Sequence, residues 1–137
     1  MSKMIVADHL MANFDRHTHN FGLMREVETL DRYRVAPCST TDAGFTAARP
    51  RTSWSMGATC GSHPFRPYPS QQLALVDNLS WYDSSSLDGF LDDIADVLSL
   101  NAQLDERFIE AVQRQTAKQI ETVNDLAAER RLLFPGR

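Results

Sequence analysis

Asp15, Arg16, His17, His19 and Asn20 fall within six consecutive residues of the stretch Asn13-Phe14-Asp15-Arg16-His17-Thr18-His19-Asn20-Phe21-Gly22. Apolar residues flank the group on both sides. Such side chains accept protons, coordinate cations and grip anions. The plainest reading is a polar surface loop after a helix, where residues of this kind usually sit. A second is half of a metal site, with His17 and His19 completed by Cys38 or Cys60. Against it, the chain carries no second close-spaced pair of ligands.

A third reading comes from resemblance. Asp15 and Asn20 stand five residues apart, the spacing of the catalytic-loop Asp and Asn of protein kinases. The string from Asp15 to Gly22, Asp-Arg-His-x-x-Asn-Phe-Gly, resembles the HipA-like serine/threonine kinases, best known as bacterial toxins. That resemblance implies Asp15 as the base that takes the substrate hydroxyl proton, and Asn20 as a magnesium ligand beside ATP. It makes Arg16 and His17 supports of this catalytic loop, counted with Asn20 as cofactor-binding, and gives His19 no role. Ala36-Pro37 matches the approach to the family's second metal-binding aspartate. The family there reads Ala-Pro-x-Phe-Asp-x-Gly, whereas this chain continues Cys38-Ser39-Thr40-Thr41-Asp42-Ala43-Gly44. Asp42 is then a displaced second metal ligand. The likeness resumes at His63-Pro64-Phe65-Arg66 and at Leu79-Ser80-Trp81-Tyr82-Asp83, so it spans roughly residues 3–37 and 63–131. Residues 38–62 depart from it. A frame slip near Pro37, corrected near Ser62, is a hypothesis that would account for the departure: the shifted codons can encode Val-Phe-Asp-Asp-Gly after Ala-Pro. The source DNA sequence tests that directly.

Only the second half of a kinase is represented. The lysines are Lys3 and Lys118, and no glycine-rich loop precedes Asp15. The resemblance therefore implies a chain inactive alone, partnered by a separate N-terminal kinase lobe. The alternative is a non-catalytic helical module that binds an antitoxin. A chance match to the family, in an unrelated helical protein, is the remaining possibility.

The elements that must position the loop are mainly helical, an α+β arrangement with little β structure. Met4, Ala7, Leu10 and Met11 recur at helical spacing and predict a helix over residues 3–12, with only Ser2 to cap it. After Gly22, two short strands joined near Glu28 to Asp31 are expected to form a hairpin, although no Asn-Gly or Asp-Gly marks the turn. The run from Cys38 to Ser62 has neither period and reads as a loop, longer than compact domains usually carry. Residues 71–76 suggest a short helix or turn, and Trp81 and Tyr82 suggest core anchors. A helix capped by Ser84, Ser85 or Ser86 follows, with Leu87, Phe90, Leu91, Ile94, Val97 and Leu98 as its apolar stripe. Its acidic residues Asp92, Asp93 and Asp96 face solvent. Asp105 caps the last helix, which buries Phe108, Ile109, Val112, Ile120, Val123 and Leu126 and ends near Arg131. Joined by Leu100 to Leu104, these two helices should pack as an antiparallel pair. By resemblance the whole is the helical C-terminal lobe of a kinase, a single partial domain. Its parts are a helix, loop and hairpin (residues 1–37), an irregular stretch (38–70) and a helical remainder (71–137).

Composition narrows the classes further. The chain has 137 residues, 42% of them hydrophobic, enough for one ordinary core. Its net charge of −4 argues against nucleic-acid binding by broad phosphate neutralisation, and its basic residues form no stripe. Two cysteines, no basic-then-apolar leader and no apolar run near membrane length together predict a soluble, cytoplasmic protein.

Overall fold

The computed structural model describes residues 1–13, 22–36 and 65–133. In chain order these form α1 (Ser2–Leu10), strands β1 (Leu23–Arg25) and β2 (Tyr33–Val35), α2 (Pro69–Leu73), a 3-10 turn (Ser84–Leu87), α3 (Phe90–Ser99) and α4 (Glu106–Leu133). The expected class, mainly helical with one small antiparallel sheet, is the one observed.

α4 is the spine. Asp105 caps it as expected, its Oδ1 accepting from the Phe108 N–H at 2.8 Å. Arg130 and Arg131 occupy its last turn, where cations favour the helix dipole. α3 folds back along its first half, and the Gln113 side-chain amide donates to the Leu91 carbonyl across the pair. Ile94, Phe108, Ala111 and Val112 form one buried cluster there, with Phe90, Leu98, Leu104 and Ala12 packed on it. A second cluster gathers Ile5, Val6 and Leu10 of α1, Leu73 of α2, Val76, Leu79 and Tyr82, and Val123 and Ala127 of α4. Thr116 and Gln119 lie along α4 between the parts of that helix that feed the two clusters. Both are buried, and the hydroxyl oxygen of Thr116 and the Oε1 of Gln119 have no partner among the described residues.

Several expectations need correcting. α1 buries Ile5, Val6 and Leu10, whereas Met4, Ala7 and Met11 of the expected stripe are half-buried. The helix packs against both α2 and α4, so its buried arc is wider than one stripe. Ser2 is the first helical residue rather than a cap, and its hydroxyl donates to Asp77 Oδ1 instead. Tyr82 is buried and its hydroxyl donates to Asn124 Oδ1 at 2.7 Å, but Trp81 lies at the surface. The helix predicted from the serines onward is broken. Asp83 accepts from the N–H and hydroxyl of Ser85 and caps a 3-10 turn, and Gly89 at φ +81° redirects the chain into α3. Val97, one of the expected stripe, is 66% exposed. Ile109, Ile120 and Leu126 of α4 are half-buried rather than buried. Asp92, Asp93 and Asp96 are exposed as expected.

No helix among the described residues is long and apolar enough to cross a membrane.

Candidate functional site

α1 leads into the stretch that carries Asp15, and it ends in a tightly bonded turn. The Ala12 N–H donates to the His9 carbonyl at 3.1 Å, and the Asn13 N–H to the Asp8 carbonyl at 2.8 Å. This pair of bonds is the Schellman arrangement, which requires a left-handed residue just past the helix. Ala12 supplies it, at φ +51°, without the freedom of a glycine. Its side chain packs on the cluster between α3 and α4. The Asn13 side-chain amide also donates to Asp8 Oδ1 at 2.8 Å, and both residues are buried. The chain therefore leaves α1 at a point fixed by two bonds between the same pair of residues.

It re-enters described structure at Gly22, and that point is fixed as well. The Ala36 N–H donates to the Gly22 carbonyl at 2.8 Å, extending a ladder that pairs Leu23 with Val35, Met24 with Arg34 and Arg25 with Tyr33. The turn is closed by Glu26 N–H to the Arg32 carbonyl and Leu30 N–H to the Glu26 carbonyl. Leu30 takes the left-handed conformation at φ +57°, and Arg25 Nε donates to its carbonyl. This hairpin lies where the sequence predicts one, although no Asn-Gly or Asp-Gly marks its turn. Its consequence is topological. The segment after Ala36, which leads to Asp42, departs beside the end of the segment that carries Asp15 and Asn20.

Asp15, Arg16, His17, His19, Asn20 and Asp42 lie outside the described residues, as do Cys38 and Cys60. Among the described residues no three His, Cys, Asp or Glu side chains group to hold a metal ion. The structural anchors of the loop, Asp8 and Asn13, are absent from the sequence reading. Their signal was present in principle, because a polar pair spanning the last turn of a helix is a common way to end one.

His9, on the same last turn, is half-buried as a residue, but both nitrogens of its ring are buried. Neither ring nitrogen has a hydrogen-bond partner among the described residues. Burial lowers its pKa from 6.5 to about 4, so the imidazole is neutral at physiological pH. It brings no charge to the neighbouring loop.

Compared with protein-family models, curated proteins and solved structures, the chain matches none.

Proposed function

We propose that this chain is the C-terminal lobe of a HipA-like serine/threonine kinase, in which Asp15 serves as base and Asn20 holds magnesium beside ATP. The observation that carries the reading is the string from Asp15 to Gly22, set between two anchored points. Asn13 is bonded to Asp8 on one side, and Gly22 to Ala36 on the other. Phosphoryl transfer is largely positioning and charge neutralisation, so a loop held at both ends suits it. The hairpin brings the departure of the Asp42 segment to the same place, which is where a second metal ligand would have to originate. Arg16 and His17 support the loop in this reading.

Alone, the chain lacks a lysine for the phosphates near this loop and a glycine-rich cover. A missing electrostatic contact of this kind costs roughly 3 kcal/mol or more at the transition state, so the isolated chain turns over below detection. An N-terminal lobe completes it. The hairpin supports a protein partner, since Leu23, Met24, Val27, Leu30 and Tyr33 are all exposed, Val27 to 86%. The same surface supports the second reading, a non-catalytic module that binds an antitoxin.

Replacing magnesium with manganese in an ATP titration followed by NMR tests the assignment. The kinase reading expects selective paramagnetic broadening of the Asn13, Gly22 and Ala36 amides, lost in Asn20→Ala. Broadening spread over the acidic surface of α3 instead would remove the reading.

A further inference from the structure

At the other end of α1, roughly 13 Å along a nine-residue helix from the Asp15 loop, lies a cleft that the kinase reading does not use. It has a volume of about 310 Å³, at the small end for ligand sites. Ala74, Leu79 and Ala127 give it an apolar side, and Asp77, Asn78 and Ser80 a polar one. Arg130 and Arg131, from the last turn of α4, close it.

The arginines are under-used. Arg130 reaches the Ala74 carbonyl through one terminal nitrogen at 3.5 Å, and Arg131 the Tyr82 carbonyl at 3.3 Å. Both contacts are long for a charged donor, which normally approaches to about 2.8 Å. The Nε of Arg130 is buried with no partner among the described residues. A guanidinium offers five N–H donors in a planar fork, so among the described residues most of this capacity is unspent. Neither arginine forms an ion pair among the described residues, even though Asp77 shares the cleft. Asp77 instead accepts the Ser2 hydroxyl at 3.1 Å. Asp83 is the other nearby carboxylate. The hydroxyl and N–H of Ser85 hold its pKa below the usual value, with a smaller contribution from Arg131.

We infer that this cleft binds a small oxyanion, a carboxylate or a phosphate, gripped by the guanidinium of Arg130 with Arg131 beside it. The planar fork matches two oxygens of either group. Asp77 opposes a bare multivalent anion, so the preferred ligand also carries a hydroxyl or ammonium donor facing Asp77, Asn78 and Ser80. The apolar side admits a short carbon chain between the two ends. The site is independent of the kinase reading and stands or falls without it.

The test is an NMR titration of the full chain with inorganic phosphate and, separately, with 3-hydroxybutyrate. Sodium chloride at matched ionic strength is the control. Saturable shifts are expected at the Ala74, Leu79 and Ala127 amides, weakened about tenfold in Arg130→Gln, or ~1.4 kcal/mol. Saturation by only one of the two anions says which oxyanion the cleft takes. Ala74→Leu narrows the cleft while keeping both charges, so it provides the same readout should Arg130→Gln fail to fold. It is expected to abolish the saturable shifts. Shifts that chloride reproduces, that neither variant weakens, or that never saturate would overturn the site.

Discussion

His9 gives the clearest prediction at the residue scale. Its pKa of about 4 lies below the 6.5 of an exposed histidine, so the unfolded chain takes up a proton that the folded chain refuses. The stability linked to this group is whole above pH 6.5. It falls as pH drops from 6.5 towards about 4, and then levels. Burial of that strength corresponds to about 3 kcal/mol across the window. Urea unfolding of the wild type and His9→Leu should therefore diverge as the solution is acidified, the variant keeping more of its stability. Parallel curves would mean that His9 is solvated. Asn13 makes a second residue-scale claim. Asn13→Ala removes a buried bond to Asp8 and leaves that carboxylate with one donor fewer, at an expected loss of about 2 kcal/mol by thermal unfolding. A loss indistinguishable from zero would contradict the clamp.

At the scale of elements, what the sequence made legible follows from how strongly each element's period is expressed. α4 was plain from its long apolar repeat and from Asp105 three residues ahead of Phe108. The hairpin was legible from Tyr33 and Val35 alternating with arginines. The break before α3 was not, because the apolar residues from Leu87 to Leu98 fit one stripe well. Periodicity counts side chains and is blind to a backbone turn, which here depends on Asp83 and Gly89. Gly89→Ala tests that turn: an alanine at φ +81° should cost about 1 kcal/mol, with nothing near enough to clash. A stabilised variant would mean that the helix readily continues back to the serines. The burial of Thr116 and Gln119 was equally illegible, since polar residues on a long helix ordinarily face water. The candidate site divides the same way. Residue types marked Asp15 and Asn20 as chemically capable, while the anchors Asp8 and Asn13 became apparent only from their hydrogen bonds.

At the scale of the molecule, two apolar clusters share the spine of α4; α1 joins one through Ile5, Val6 and Leu10, and the turn that ends it reaches the other through Ala12. This couples the start of the Asp15 loop to the packing of α3 on α4. The exposed apolar residues of the hairpin belong to neither cluster, and under the proposed function they are the surface offered to a partner protein. Under the kinase proposal that partner carries the lysine and the glycine-rich loop. The central proposal is that Asp15 and Asn20 serve phosphoryl transfer, as base and magnesium ligand. Calorimetry of magnesium-ATP binding to the purified chain, comparing the wild type with Asn20→Ala, tests it most directly. The account predicts weak binding by the wild type, in the millimolar range, reduced about tenfold in the variant. No binding at millimolar nucleotide, or binding that Asn20→Ala leaves unchanged, would contradict it.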